Sequence, residues 1–145
     1  MSAPNKPVTI LTEEECWEKL ASHSVGRLVT WVGNVVHIMP LNYVVDGRTL
    51  VFRTASGTKL SKIAINPSVI LEVDDYDDKT GWSVVVRGEA ERLQISTDTA
   101  EAENLPLKPM IATLKFDFVR ITPTSMTGRK FMFGPEPDRE AFQEG

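Results

Sequence analysis

Five side chains that can donate hydrogen bonds crowd into seven residues: Arg53, Thr54, Ser56, Thr58 and Lys59. The run lies where a β-rich segment gives way to a helical one, with Gly57 loosening the junction. The first backbone N–H groups of a helix have no internal partner, and the helix dipole makes that end attractive to anions. Arginine offers a planar fork for phosphate oxygens, lysine a compact charge, and the hydroxyls fill the remaining positions. This is the donor set of a phosphate cradle, although the GxxxxGK[ST] order of a P-loop is missing. Spacing alone allows equally a solvated basic turn in which Ser56 caps the helix.

Two other stretches bear on a bound nucleotide. In Met39-Pro40-Leu41-Asn42-Tyr43 a proline sits inside a strand-like run. Proline cannot donate to a β ladder, so Pro40 marks an edge, a bulge or a backbone that faces something other than a strand. A flat heteroaromatic ring could fill that gap; an ordinary edge strand is the plainer alternative. In Trp82-Ser83-Val84-Val85-Val86-Arg87-Gly88, strand alternation sets Ser83, Val85 and Arg87 on one face. Arg87 then needs a ligand anion, a carboxylate or solvent. Trp82 suits ring stacking or a packed core.

Other chemistry has little support. Cys16 falls on the apolar side of a helix and reads as a small core residue. His23 and His37 lie far apart, and no Cys or His spacing suggests zinc or another metal site. Asp74, Asp75, Asp77 and Asp78 form an acidic loop without the glycine and distal glutamate of an EF-hand. No catalytic triad is legible, so no catalytic side chain is assigned, and a cofactor is the expected chemical agent.

The elements that must position these groups follow from periodicity. Residues 1–10 read as an extended lead-in. A helix starts at Thr12, whose spacing to Glu15 is that of a capping box, and it turns Cys16, Trp17, Leu20 and Ala21 to one face. Strands are expected at Arg27 to Val32, Val35 to Val45, Thr49 to Thr54, Val69 to Val73 and Trp82 to Leu93. Gly33-Asn34 and Asp46-Gly47 supply the tight turns. A second helix spans Ser56 to Asn66 and stops before Pro67. A short helix over Ser96 to Asn104, and final strands at Lys115 to Thr122 and Arg129 to Phe133, complete the reading. Residues 135–145 are expected to form a mobile tail. Short strands joined mainly by hairpins define a mainly β fold, an antiparallel barrel with a few short helices.

The whole chain, residues 1–145, is the length of one domain. Sixteen basic against 20 acidic residues give a net charge of −4, which speaks against a broad nucleic-acid surface. A single cysteine rules out an intrachain disulfide. No apolar run is long enough to span a membrane, and Met1 to Pro7 lacks the order of a signal peptide, so a cytoplasmic location is expected.

Taken in order, four segments resemble the pyridoxamine 5′-phosphate oxidase-like, FMN-binding split-barrel superfamily, in its short-chain bacterial branch. They are Val25-Gly26-Arg27-Leu28, Pro40 to Gly47, Phe52 to Leu60, and Trp82 to Ala90. The resemblance implies a six-stranded, Greek-key split barrel and a homodimer with FMN in the clefts between subunits. It implies that Arg53, Thr54, Ser56 and Lys59 hold the ribityl phosphate and that Met39, Pro40, Leu41 and Asn42 run along the isoalloxazine ring. Trp82, Ser83 and Arg87 would approach from a neighbouring strand or the partner subunit. An oxidoreductase acting on a small-molecule electron donor or acceptor is implied, with a non-catalytic flavin carrier, sensor or store, or a deazaflavin-dependent reductase, as the alternatives. Related branches bind deazaflavin or haem. The Arg-bearing terminal segment with which true pyridoxamine phosphate oxidases grip substrate has no counterpart in Pro137 to Gly145, which speaks against vitamin oxidation.

Overall fold

The computed structural model describes residues 6–54, 57–93, 106 and 117–136, and every structural statement below concerns these residues. The expected helix over Ser96 to Asn104, nearly all of the tail, and Ser56 of the phosphate cradle lie outside them.

Eight strands and two helices follow one another along the chain: β1 (Val8–Ile10), α1 (Glu13–Ala21), β2 (Val25–Val32), β3 (Val35–Asn42), β4 (Val44–Asp46), β5 (Thr49–Thr54), α2 (Gly57–Ile65), β6 (Ser68–Tyr76), β7 (Thr80–Arg92) and β8 (Asp117–Met132). Seven strands hydrogen-bond in the order β3-β2-β6-β7-β8-β5-β4, every pair antiparallel, and β1 adds to β8. The lead-in is therefore a strand, at least from Val8. The two ends of this order, β3 and β4, are halves of one chain segment interrupted only at Tyr43. Curling brings them together and makes a split barrel. The main path of the sheet holds seven strands where the resemblance implies six, because the run from Val35 bends at Tyr43. There the Tyr43 N–H turns aside to the Ser24 carbonyl at 3.0 Å.

Alternation decides what lies inside. Leu28, Leu71, Val84, Val86, Leu50, Phe52, Val119 and Ile121 point inward and are almost wholly buried. Burying such side chains contributes roughly 1.5–3 kcal/mol apiece, which is why one register wins over a slip that would expose them all. Helix α1 closes one end of the barrel with Cys16, Trp17 and Leu20. Its start is a reciprocal cap: Glu15 N–H donates to Thr12 Oγ1 at 3.2 Å and Thr12 N–H donates to Glu15 Oε1 at 2.9 Å. At both tight turns the glycine takes a left-handed conformation, with φ of 58° at Gly33 and 61° at Gly47.

Two sequence expectations are corrected. Lys115 to Thr122 and Arg129 to Phe133 are not separate strands: from Asp117 the chain runs as one 16-residue strand. Pro123, which lies between the two expected strands, sits opposite Gly88 where the β7–β8 register shifts, so a bulge absorbs it. The acidic loop is also shorter than expected, since Asp74, Asp75 and Tyr76 extend β6 opposite Ser83, Trp82 and Gly81. Partners across the sheet and at its end hold these carboxylates in an extended strand.

Candidate functional site

The split opens where β3 and β5 part company. Strand β4 pairs with β5 from Val44↔Val51 to Asp46↔Thr49, whereas β3 turns away at Asn42 to pair with β2. One lip is therefore Met39 to Asn42 and the other is Phe52 to Thr54. Met39 and Leu41 share the inward side with Leu28, their neighbour on β2, while Pro40 and Asn42 point outward. Pro40 lies in a strand that pairs on one side only, with β2, among the described residues, and this satisfies the edge position expected for it.

Asn42 carries an unmet bond. Its Nδ2 donates to the Ser24 carbonyl at 3.2 Å, which fixes the orientation of the amide. Its Oδ1 is buried and accepts nothing among the described residues. A buried acceptor without a donor costs about 1–3 kcal/mol, so a ligand bringing an N–H here would relieve a standing penalty.

On the opposite lip, β5 leads directly towards α2. Arg53 points outward, its guanidinium carbon 5.0 Å from the centre of the Phe118 ring. Thr54 points inward and is 2% exposed. Lys59, in the first turn of α2, holds its Nζ 5.7 Å from the Phe52 ring. The two cations thus flank the strand end from its two faces. A cation resting on a ring is worth about 0.5–1 kcal/mol at exposed sites. A charge-assisted hydrogen bond to a phosphate contributes about 1.5–3 kcal/mol, more than either ring contact.

The third group divides. Ser83 and Arg87 lie on the outward face of β7, opposite Asp74 and Ile70 of β6. Trp82 points the other way and packs against the core. In register, Arg53 is opposite Phe118 and Arg87 is opposite Ser125. At about 3.3 Å per residue Arg87 is roughly 20 Å along the sheet from the cradle. Within one chain it does not join that cradle.

Trp82 instead belongs to a cluster that sequence reasoning missed. His23 meets it edge-on, with ring centres 4.8 Å apart and planes at 87°. Lys19 Nζ lies 5.4 Å from its ring centre. His23 Nε2 is 2.9 Å from Asp75 Oδ2, and Nδ1 is 2.8 Å from Ser22 Oγ. The His23 contact, followed by the Tyr76 backbone N–H, holds the Asp75 carboxyl below the usual carboxylate range. Ser22, His23 and Ser24 line an open cavity of about 510 Å³ with Tyr43, Val44 and Val45. Fifty-two residues separate His23 from Asp75, so only the sheet register could have shown this cluster. Among the described residues no group of three or more His, Cys, Asp or Glu side chains is placed to hold a metal ion.

A curled antiparallel sheet with a lateral split, a proline-bearing lip and a cationic strand end facing it defines a split-barrel protein. Family comparison agrees: residues 12–130 match the family described as pyridoxamine 5′-phosphate oxidase, and the chain belongs to that family. Among its relatives, the uncharacterized protein Rv3129 of Mycobacterium tuberculosis is 47% identical over 96 residues, covering 66% of this chain and 87% of the relative. An FAD binding protein from Mycobacterium smegmatis is 49% identical with a TM-score of 0.76, over 86% of this chain and 99% of the other. A conserved protein of unknown function from Corynebacterium diphtheriae is 40% identical with a TM-score of 0.76, over 87% of this chain and 99% of the other.

Proposed function

We propose that this protein binds a flavin nucleotide, FMN in the first instance, in the split between β3 and β5, and uses it as a flavin-dependent oxidoreductase on a small molecule. The observation that carries the reading is the pairing of two complementary lips. Arg53 and Lys59 flank the strand end before α2, and the buried Asn42 Oδ1 opposite lacks a donor. The first suits a phosphate and the second an N–H of a flat heteroaromatic ring. The FAD binding relative supports the same chemistry, because FAD contains the whole of FMN.

In this reading Arg53, Thr54, Ser56 and Lys59 bind the phosphate, and Met39 to Asn42 lie along the ring. The bound flavin would supply hydride or single-electron transfer. The chain's own part is to orient the ring, with the Asn42 Oδ1 as the acceptor for its N–H. A homodimer completes the cleft, with the partner bringing the outward-facing Ser83 and Arg87. Trp82 stays with its own subunit under α1.

Mass spectrometry of the ligand released from purified protein tests the reading directly and separates FMN from FAD, deazaflavin or haem. A colourless protein that ignores added flavin would sink it. Bleaching by a reduced nicotinamide, with reoxidation by an acceptor, is expected of an oxidoreductase; a tight flavin that never bleaches would mark a carrier, sensor or store. Arg53→Ala with Lys59→Ala should raise the FMN dissociation constant by about 10²-fold or more, the loss of two charge-assisted contacts. An unchanged constant would remove the cradle from the argument.

A further inference from the structure

We propose that the open cavity beside Asn42 is a pocket for an uncharged carbonyl compound, and that Ser22, reloaded through His23 and Asp75, gives the carbonyl oxygen a proton. The inference rests on the flavin reading for its hydride. It adds the substrate class and the proton donor.

The pocket lies next to the lip assigned to the ring. Val25 and Tyr43 line it; the first is paired with Asn42 across the β2–β3 ladder and the second follows Asn42 in the chain. Asn42 Nδ2 donates to the carbonyl of Ser24, another lining residue. At about 510 Å³ the cavity falls within the range of small-molecule pockets, roughly 300–1,000 Å³. Among the described residues that line it there is no Lys, Arg, Asp or Glu. His23, which can carry a positive charge, already faces Asp75. A charged ligand would lose hydration there without gaining an opposite charge, so the site suits an uncharged one. The Tyr43 hydroxyl is engaged by the Leu20 carbonyl, which leaves Ser22, His23 and Ser24 as the polar side chains of the wall.

Ser22 and His23 form a chain of bonds that is satisfied with or without an extra proton. His23 Nε2 faces Asp75 Oδ2 at 2.9 Å, and that contact is the main cause holding the Asp75 carboxyl below the usual carboxylate range. A carboxylate only accepts, so Nε2 carries a hydrogen. Nδ1 lies 2.8 Å from Ser22 Oγ, which in turn is 2.7 Å from the Lys19 carbonyl. With the ring neutral, the Ser22 hydroxyl donates to Nδ1. With the ring protonated, Nδ1 donates to Ser22 Oγ and the hydroxyl turns to the Lys19 carbonyl. That carbonyl also receives the Ser22 N–H at 3.2 Å, so it is not stranded when the hydroxyl turns away. The dipole of α1, which ends at Ala21, favours a cation at this point. The charged groups round the ring are Asp75 from β6 and Lys19 from α1, whose Nζ sits 5.4 Å from the Trp82 ring of β7; Lys130 of β8 stands opposite Trp82.

A carbonyl oxygen in the pocket takes the place of the Lys19 carbonyl as acceptor for the Ser22 hydroxyl. When hydride, supplied by the reduced flavin, adds to the conjugated carbon, the displaced electron pair settles on the carbonyl oxygen. That oxygen takes the Ser22 hydrogen, and Ser22 Oγ takes the Nδ1 hydrogen in the same step. The carbonyl compound is reduced by two electrons and the flavin oxidised by two. His23 is left neutral, with its Nε2–H still on Asp75, and regains a proton from water. A positioned proton donor contributes about 10²–10⁴-fold to such a step. Ser22 touches the substrate; His23 and Asp75 act through it.

Three measurements on the full-length purified chain test this. The first needs no change in the site. The chain has two histidines, so long-range proton–nitrogen NMR spectra from pH 5 to pH 9, assigned with His37→Gln, follow each ring nitrogen of His23. Nε2 should keep its hydrogen throughout while Nδ1 gains one as pH falls; the reverse order would overturn the relay. In the second, acetophenone, an inert uncharged carbonyl probe, should shift the amide signals of residues 21–25 and 43–45. Ser22→Ala should weaken its binding about 5-fold, the worth of one neutral hydrogen bond, and Ser22→Thr, which keeps a hydroxyl, should restore it. Undisturbed amides would overturn the pocket, and equal affinity in Ser22→Ala would overturn Ser22 as the donor. In the third, 2-cyclohexen-1-one should reoxidise the photoreduced flavin-loaded protein, about 100-fold more slowly in Ser22→Ala and at a near wild-type rate in Ser22→Thr. Equal rates in wild type and Ser22→Ala, or none in wild type, would overturn the proton step. A chain that meets the first two expectations but carries no flavin would leave the pocket and relay standing and sink the flavin reading alone.

Discussion

Replacing Tyr43 by phenylalanine tests the joint at which the barrel closes, through a stability difference that should reverse with pH. Tyr43 is 2% exposed, and its hydroxyl donates to the Leu20 carbonyl in the last turn of α1 at 2.6 Å. Removing the hydroxyl does not orphan that carbonyl, because the His23 N–H still reaches it at 3.3 Å. The loss at neutral pH is therefore the net worth of one hydrogen bond, about 1 kcal/mol, rather than the larger penalty of a stranded acceptor. In a domain of this size that lowers Tm by about 2–6 °C. Alkaline conditions reverse the comparison. Burial holds the Tyr43 phenol well above its ordinary range, so folding favours the neutral form. The stability this group contributes is complete below the unfolded phenol's pKa of about 10 and falls by about 1.4 kcal/mol per pH unit above it. The phenylalanine variant has no such term, so wild type should lose its advantage near pH 11. Urea titrations of both proteins from pH 7 to pH 11 supply the measurement, and every other titrating group cancels in the difference. A gap that stays constant across that range would show that the phenol ionises as freely in the folded protein as in water, refuting its burial at the joint.

Three further outcomes follow from the geometry. In Gly88→Ala the new Cβ would fall 2.5 Å from the Thr122 carbonyl oxygen, a backbone atom with little room to yield; a loss of about 1–3 kcal/mol in chemical denaturation is expected. Gly57→Ala meets nothing within 4 Å, and should stabilise α2 by up to about 1 kcal/mol in the same assay. Cys16 is 1% exposed and burial pushes its thiol up, so iodoacetamide should label native protein far more slowly than unfolded protein. Gly128→Ala, whose Cβ would press on Cys16 Sγ, should accelerate that labelling by unseating α1.

What could be read from sequence was whatever depends on near neighbours. The Thr12–Glu15 cap, the glycine turns at Gly33 and Gly47, and the shared face of Ser83 and Arg87 all appear as expected, because each is set within a few residues. The resemblance supplied the split barrel and a site at two strand ends. What escaped was decided across the sheet. The 16-residue β8 was hidden because Pro123, Thr124, Ser125 and Gly128 look like breakers until Gly88 stands opposite and a bulge takes up the slack. The pairings of His23 with Asp75 and of Arg27 with Glu72 join residues more than 40 positions apart. The break at Tyr43 also has no local signal, since it arises from strands diverging towards different neighbours.

Pro40 has a consequence for the protein's solubility. A strand that ends a sheet is a template on which a stray chain can add, and repeated addition leads to fibres. Strand β3 has high β-propensity over Val35, Val36 and Ile38 and would serve well as such a template. A proline within it removes one of the donors that a growing ladder requires. The proline that marks β3 as an edge strand thus also helps the open barrel to resist aggregation.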